Sequence, residues 1–507
     1  MNRKQIWFCI IMAVGILFCA GQGMAQKWPG IPDSLYSNVL KETRTIQVVL
    51  PKGYQPETNF KYEVLYVLDG EWYMEHIPFI YNFVVSAKFA PENIFVLIPN
   101  RYVNGINLRD RDFSPTKVDE DSTSGGADNF HAFLKNELIP YVEKKYPTNG
   151  QRSLVGSSFS GLFSVYAFVK DPELFQSFIA SDPNLNWDNN YVPKLAAKKL
   201  PSFEGVESTL FFAGLEKTSV GMGSKGMDSV LTAKAPRGLH WKFMEYANET
   251  HYSVQHKAFY DGMRFSHEGY SATPPEFHPM NGIVDPGRVL KLFMPHENLS
   301  ARFTIDGSEP TPSSPLLKSE SAIIVGPAVL KIKSFPNRKA EAETQEARGT
   351  YSTSTGAEMP VPAKSKKTKA GLRYSFYDGD WNILPDFKKI QSIESAEVQK
   401  NFSLNKFKAG KNAAFLIEGN LEIQEEGYYV FASDAADGSI LSLGNRVIFE
   451  TKPDNHGIKS FAIPLKKGFY SFRFELLKKK GSPPIVYYIF RTKPGNDNWW
   501  ETPFLTL

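Results

Sequence analysis

The chain has 507 residues, with 58 lysines and arginines against 54 aspartates and glutamates, and a formal net charge of +4. A charge this close to neutral argues against a nucleic-acid-binding or polybasic membrane-binding function. The length predicts roughly two to four domains.

Residues 1–25 have a pattern typical of a secretory signal peptide. Two basic residues precede an apolar run from Ile6 to Ala20, and small residues lead to a predicted cleavage site near Ala25. The run is too short for a stable transmembrane helix. Both cysteines lie within this segment, so the mature chain is expected to have no disulfide. The sequence predicts an exported protein, periplasmic or extracellular, without a membrane span.

Strand and helix patterns alternate from Thr45 to about His267. The segment from Asn129 to Lys145 has apolar residues at helical spacing, interrupted by Pro140. Repeated β-α units of this kind predict a mostly parallel sheet covered by helices on both faces. The segments that read as strands are residues 45–50, 63–68, 93–98, 177–180, 208–214 and 240–246.

A strand-turn-helix pattern around Ser158 is the most informative part of the chain. Apolar β-type residues lead through Gly156 into a turn of small residues, and a helical segment follows. Such a sharp turn exposes one serine hydroxyl above the C-terminal edge of a sheet. Ser160 stands where the G-x-S-x-G pattern has its second glycine, and Gly161 follows. Ser158 is therefore the candidate nucleophile.

A carboxylate and an imidazole follow Ser158 in the order that α/β-hydrolases use. Glu216 lies just beyond the predicted strand at 208–214, and His251 lies on the loop after the last predicted strand. His251 is the candidate general base. Glu216 is the expected acid, because the acid usually follows the strand before that of the histidine, and Asp182 is the alternative.

Several segments together resemble the esterases grouped around esterase D and the enterobactin esterases. The resemblance covers about residues 40–268 and implies an α/β-hydrolase fold, a serine esterase activity and no cofactor or metal. It places one oxyanion-hole donor at the backbone N–H of Glu71, and the elbow pattern places the other at Phe159. The family usually has His-Ser-Phe-Gly-Gly at the elbow. The matching segments are residues 62–70, 109–115, 126–134, 137–141, 153–161 and 249–254.

Residues beside the predicted site suggest a substrate pocket. Trp72 and Tyr73 are candidates to line it, although buried packing is the expected use of both rings. Arg109, Arg111 and Asp112 follow the predicted strand at 93–98. They are expected to form an ion-paired lid, and Arg111 is also a candidate substrate contact.

The glycine pattern from Gly221 to Gly226 matches G-x-G-x-x-G. A dinucleotide site needs this pattern directly after the first strand of a β-α unit. Here it falls in the loop after Glu216, so it is rejected as a nucleotide site.

The composition changes at Tyr270, where a proline-rich segment begins and β-α alternation ends. We predict a signal peptide, a hydrolase domain and two all-β accessory domains joined by linkers. Residues 303–315 closely resemble the small β-sandwich at the C-terminus of chitobiases and hexosaminidases. Residues 419–434 and 437–443 resemble the β-barrel module of anthrax protective antigen. Asp434 and Asp437 are not adjacent, which argues against a calcium site there. The predicted segments are 1–25, 26–270, 271–286 (linker), 287–350, 351–369 (linker) and 370–507.

These patterns predict an exported serine esterase with a Ser-His-Glu triad. The accessory modules favour acyl groups on a glycan, such as feruloyl or acetyl esters, as the substrate. One alternative is an enterobactin-type siderophore esterase, and another is a non-catalytic glycan-binding protein on a hydrolase scaffold. The expected partner is the ester substrate, and no nucleic-acid partner is indicated.

Overall fold

The computed structural model divides the chain into two compact units. The first comprises residues 1–268 and 336–342, and the second comprises residues 269–335 and 343–507. The predicted signal peptide lies outside the residues that the structure describes. Those residues are 30–56, 59–119, 123–270, 273–294, 301–318, 323–324, 326–336, 346–355, 359–363, 370–398, 412–434, 437–452, 458–480, 486–491 and 505–506.

A mostly parallel β-sheet organises the first unit. Its strands are β1 (Ile31–Ser37), β2 (Glu42–Val49), β3 (Tyr62–Leu68), β4 (Asn93–Ile98), β7 (Thr148–Ser157), β8 (Ser177–Ser181), β9 (Thr209–Leu215) and β10 (His240–Tyr246), and a separate hairpin holds β5 (Tyr102–Val103) and β6 (Ile106–Asn107). The strand order is β1-β2-β4-β3-β7-β8-β9-β10. β2 pairs antiparallel with β1 and β4, and the pairs from β4 to β10 are parallel. The predicted strands are confirmed, whereas β1 was not predicted.

Helices pack on both faces of this sheet. They are α1 (Gly70–Tyr73), α2 (Ile77–Ser86), α3 (Arg109–Phe113), α4 (Ala127–Phe133), α5 (Ile139–Lys145), α6 (Phe159–Lys170), α7 (Trp187–Lys199), α8 (Ser224–Lys234) and α9 (Val254–Ser266), with a π-helical turn (Leu134–Leu138) joining α4 to α5 and a 3₁₀ turn (Leu200–Ser202) after α7. Pro140 lies in the first turn of α5, directly after the π-helical turn. Within the described residues, no helix is long and apolar enough to cross a bilayer.

Successive residues of β3 point to opposite faces, and both faces are buried. Tyr66 and Leu68 join the hydrophobic cluster that includes residues of α4 to α8. Leu65 and Val67 join the cluster that includes residues of α2 and α9. A central strand that is buried on both sides reads as a continuous apolar run, which is why this strand could be predicted from the sequence.

The register of the parallel strands brings the predicted site loops to one edge. Ser157 at the end of β7 pairs with Ser181 at the end of β8. Ser181 in turn pairs with Ala213 of β9, and Leu215 at the end of β9 pairs with Tyr246 at the end of β10. The segments that follow these strands therefore leave the sheet side by side, as expected for an open α/β sheet.

The described residues of the second unit form strands and no helix. The strands are β11 (Asn281–Val284), β12 (Leu290–Lys291), β13 (Ala301–Thr304), β14 (Ile323–Ile324), β15 (Ala328–Ser334), β16 (Glu346–Thr353), β17 (Gly371–Gly379), β18 (Glu394–Glu397), β19 (Asn412–Ile423), β20 (Gly427–Asp434), β21 (Ser439–Leu443), β22 (Arg446–Thr451), β23 (Lys459–Leu465), β24 (Gly468–Lys478), β25 (Val486–Arg491) and β26 (Leu505–Thr506). They form sheets in the orders β13-β15-β16-β11-β23-β20-β25-β26, β18-β17-β19-β24-β21-β22 and β12-β14.

The eight-stranded sheet of this unit is buried on both faces. Tyr429 and Phe431 of β20 belong to a cluster shared with the six-stranded sheet. Tyr428 and Val430 of the same strand belong to a second cluster with residues of β12 and β14. Because side chains alternate along a strand, one sheet contributes to two hydrophobic layers.

The segment predicted as the first linker contains a strand of this sheet. β11 lies between β16 and β23 and pairs parallel with both. The prediction that residues 271–286 form a linker is wrong for β11. The prolines on both sides indicated a linker, but Ile283 and Val284 between them are buried in the sheet. Strands from both sides of the predicted second linker thus share one sheet. The chitobiase-like and protective-antigen-like identities stay predictions.

Candidate active site

Ser158 connects β7 to α6 through a strained turn. Its φ of 57° and ψ of −116° lie outside the regions that L-residues favour, which costs about 1–3 kcal/mol. Its amide donates to the carbonyl of Ser181 at 3.0 Å, and its carbonyl accepts from the amides of Leu162 and Asn184 at 2.8 and 3.1 Å. These backbone bonds hold the turn in the sharp geometry that the sequence predicted.

Glycine is required at position 156. A Cβ added there would lie less than 3.0 Å from the carbonyl of Ser160. That carbonyl belongs to the first turn of α6, so it cannot move without unwinding the helix. The small residue two positions before Ser158 is thus a steric condition of the turn.

His251 contacts a carboxylate, and the carboxylate is that of Asp182. The Nδ1 atom of His251 lies 2.6 Å from Oδ2 of Asp182, and the Asp182 side chain is buried while His251 is partly exposed. Glu216 is exposed, and its amide donates to the carbonyl of Tyr246 at 3.3 Å. The expectation that Glu216 contacts His251 is therefore wrong, and the alternative, Asp182, makes that contact.

The strand order explains why Asp182 is better placed. β8 neighbours β7, so the residue after β8 emerges beside the Ser158 turn, whereas Glu216 emerges one strand further away. Asp182 has a φ of 40°, and its amide donates to the carbonyl of Ala213 at 2.7 Å. The sequence signal for this residue was an aspartate directly after a short apolar strand and before Pro183.

The hydroxyl of Ser158 and the imidazole of His251 are not joined by a hydrogen bond in the described part of the chain. Hydrogen bonds between a nucleophile and its base are often long or poorly aligned without substrate. The role of His251 as the base of Ser158 stays a prediction.

The turn after β3 holds the second predicted oxyanion donor. Asp69 has a φ of 52°, and a Cβ on Gly70 would lie less than 3.0 Å from the backbone of Ile98. The Glu71 carboxylate accepts from the amide and side chain of Asn100 at 3.0 and 2.8 Å. Burial raises the pKa of the Glu71 carboxyl, although donors from Glu71 itself and from Asn100 lower it in part. The turn is fixed by its surroundings, and the roles of the Glu71 and Phe159 amides stay predictions.

Trp72 is the predicted pocket residue that remains accessible. Its ring is 47% exposed, and the Arg109 guanidinium lies 5.0 Å from its centroid. Tyr73 is buried, with its ring centroid 5.4 Å from that of Phe259, and burial raises its pKa. Tyr73 therefore packs in the core instead of lining a pocket.

Arg111 is part of an ion-pair network. Its guanidinium lies 2.6 Å from Glu42 and 2.8 Å from Asp112, and Arg44 lies 2.5 Å from Asp112. Burial opposes its charge, but the bonds to the two carboxylates outweigh that effect and raise the pKa of Arg111. The ion-pair expectation is confirmed, and the substrate contact is not supported.

Arg109 has a different partner, the buried carboxylate of Asp69. Its Nε and Nη2 atoms donate to the two carboxylate oxygens at 2.7 and 2.8 Å. Nη2 also lies 3.1 Å from the carbonyl of Ser157. Arg109 therefore joins the turn after β3 to the residue before Ser158, a role that the sequence did not show.

A strained serine turn and a buried carboxylate on an imidazole, at the edge of a mostly parallel sheet, define the class of the protein. The chain is an ester-hydrolysing enzyme with an α/β-hydrolase fold in its N-terminal half. A family model described as "Putative esterase" matches residues 37–253. The N-terminal half of the chain is therefore similar to this esterase family.

Named relatives and solved structures are similar to the same half of the chain. The ferri-bacillibactin esterase BesA of Bacillus subtilis is 25% identical over 240 residues, which are 42% of this chain and 81% of that protein. A siderophore enterobactin esterase of Emericella nidulans is 35% identical over 114 residues, 22% of this chain and 35% of that protein. The crystal structure of an IroE-like serine hydrolase from Shewanella oneidensis is 30% identical, with a TM-score of 0.43, and covers 48% of this chain and 81% of its own.

Proposed function

We propose that this enzyme hydrolyses the ester bonds of a siderophore polyester, with Ser158 as the nucleophile, His251 as the general base and Asp182 as the residue that orients the imidazole. The contact between His251 and the buried Asp182 carries the triad assignment. The names of the relatives BesA and the enterobactin esterase support the substrate class. None of the relatives described above is named for a glycan ester, so the glycan substrate is the weaker hypothesis.

The proposed reaction begins with proton transfer from the Ser158 hydroxyl to Nε2 of His251. Serine is a poor nucleophile at neutral pH and needs such a base. Asp182 accepts a hydrogen bond from Nδ1–H of His251, which leaves Nε2 free to act as the proton acceptor, and its carboxylate stabilises the imidazolium that forms. The serine oxygen then adds to the ester carbonyl. The amides of Phe159 and Glu71 are the proposed donors to the resulting oxyanion.

Collapse of this tetrahedral intermediate breaks the bond to the alcohol, which leaves with the proton held by His251. A water molecule, deprotonated by the same imidazole, then attacks the acyl-enzyme. The bond to the Ser158 oxygen breaks, Ser158 recovers the proton from His251, and the acid is released. The exposed rings of Trp72 and Tyr252 adjoin Glu71 and His251 in sequence. They offer flat apolar surfaces to an aromatic acyl group.

The substrate class is tested by direct competition between esters. The purified mature protein is given enterobactin, its ferric complex, and feruloylated and acetylated xylo-oligosaccharides, and kcat/KM is measured for each. We expect the siderophore ester to be hydrolysed at least a hundredfold faster than either glycan ester. Preferential hydrolysis of an acylated glycan would overturn the siderophore proposal and restore the hypothesis drawn from the accessory modules.

We also infer that the protein is exported, because residues 1–25 match a signal peptide. N-terminal sequencing of the protein recovered from cell fractions tests this inference. A mature protein that begins after Ala25 is expected, and an intact N-terminus in the cytoplasmic fraction would contradict it.

A further inference from the structure

We propose that Ser160 is a positioning residue that fixes the two halves of the oxyanion hole relative to each other. The inference rests on the proposed function, since it assumes that Ser158 is the nucleophile. Ser160 is the residue at which the chain departs from the G-x-S-x-G pattern, so a glycine-containing elbow would lack this device.

The Ser160 hydroxyl is fully buried and has three polar neighbours. It lies 2.6 Å from Oδ2 of Asp69 and accepts from the amide of Ser157 at 2.7 Å. The carbonyl of Ser157 lies 2.8 Å away. One hydroxyl thus contacts the turn after β3 and the residue before the nucleophile.

Counting protons decides which bond the hydroxyl makes. A serine hydroxyl has a single hydrogen to donate, and the carboxylate is the stronger acceptor. Ser160 therefore donates to Asp69 and accepts from Ser157. The Ser157 carbonyl is not left without a donor, since Nη2 of Arg109 serves it at 3.1 Å.

Asp69 is the other end of this connection. Its buried carboxylate accepts from Ser160, from two atoms of Arg109 and from Nδ2 of Asn100 at 2.8 Å. Asp69 directly precedes Gly70 and Glu71, so its position sets the place of the Glu71 amide. Ser160 directly follows Phe159, whose amide is the other proposed donor.

The two proposed donors therefore belong to segments that the hydrogen bond from Ser160 to Asp69 joins directly, beside the link that Arg109 makes between Asp69 and Ser157. Removing the Ser160 oxygen would leave the Ser157 amide without its acceptor and the Asp69 carboxylate with one donor fewer. The donors would be less well held where the oxyanion forms. Loss of one such donor costs about 10²–10³ in rate, so loosened positioning is expected to cost about tenfold to a hundredfold.

The test compares Ser160→Ala with Ser164→Ala in the full mature protein. Ser164 is a matched control because its hydroxyl is also buried in α6 but donates to the Ser160 carbonyl at 2.9 Å. The substrates are p-nitrophenyl acetate and its thiono analogue, whose sulfur is a weaker acceptor of amide hydrogen bonds. Ser160→Gly provides a second variant without the hydroxyl, and Ser158→Ala tests the nucleophile separately.

We expect Ser160→Ala to lower kcat for the oxygen ester by tenfold to a hundredfold, with KM within twofold of the wild type. The ratio of oxygen-ester to thionoester rates should fall by at least fivefold, because the thionoester depends less on the two amides. Ser164→Ala should preserve this ratio. Ser160→Gly should behave like Ser160→Ala.

Three results would overturn the proposal. Rates of both Ser160 variants within twofold of the wild type would show that the hydroxyl has no positioning role. An equal fall on both esters would indicate general loosening of the fold. Retained activity in Ser158→Ala would refute the nucleophile assignment itself, whereas the first two results leave that assignment intact.

Discussion

Replacement of Asp182 by asparagine tests the acid of the proposed triad, the position at which the structure differs from the prediction of Glu216. The Asp182 carboxylate is buried and lies 2.6 Å from Nδ1 of His251, so water cannot easily take its place. Asparagine keeps the shape but can present its NH₂ group to Nδ1, which forces the imidazole proton onto Nε2. The base then cannot accept the Ser158 proton. A loss of about 10⁴-fold in kcat is expected, equivalent to about 5 kcal/mol of transition-state stabilisation.

The assay is p-nitrophenyl acetate hydrolysis at saturating substrate, with the melting temperature of each variant measured in parallel. Glu216→Gln is the control, because Glu216 is exposed and is the acid that chain order predicts. It should change kcat by less than twofold. If Glu216→Gln were inactive and Asp182→Asn retained more than a tenth of the wild-type rate, the proposed triad of Ser158, His251 and Asp182 would be refuted.

Three further predictions concern the elbow and the division of the chain. Ser158→Ala and Ser158→Gly should both lose about 10⁶ in kcat. The glycine variant should unfold at a higher urea concentration than the alanine variant, because glycine accepts the positive φ without strain. Equal unfolding midpoints of the two variants would argue against a strained turn. Gly156→Ala should abolish activity, because the added Cβ displaces the first turn of α6. Gly226→Ala is the control: a Cβ there meets nothing within 4 Å, so this variant should keep full activity and gain about 0.5–1 kcal/mol of stability. An active Gly156→Ala enzyme would contradict the steric account. A truncated protein of residues 26–270 should hydrolyse p-nitrophenyl acetate as fast as the mature chain, since the two hydrophobic clusters of the first unit contain only residues of this segment. A truncated protein that folds but is inactive would show that the second unit completes the site.

Much of the first unit could be predicted because its signals are local. Central strands such as β3 and β4 are buried on both faces and read as apolar runs. The elbow could be recognised because the turn demands small residues at fixed positions around Ser158. β1 was missed because it is an edge strand with mostly exposed or partly exposed residues, so it lacks an apolar run.

The triad acid could not be chosen reliably from chain order. The order of strands in the sheet is a long-range property, and it decides whether the loop after β8 or the loop after β9 lies beside Ser158. The sequence offered Asp182 and Glu216 at the ends of consecutive strands, and only the pairing of β8 with β7 separates them. β11 could not be predicted for the same reason. Its short apolar segment becomes a strand only by pairing with β16 and β23, which are distant in the sequence.

The position of β11 has a consequence for how the chain is synthesised and folded. The amide of Met280, just before this strand, donates to the hydroxyl of Ser460, which lies 180 residues further along the chain. At a synthesis rate of about 5–20 residues per second, roughly 10–40 seconds pass before that partner segment has been made. During this interval β11 has no neighbour on one side, and an unpaired strand edge can recruit other chains. β11 can therefore complete its pairing with β23 only after most of the second unit has been synthesised.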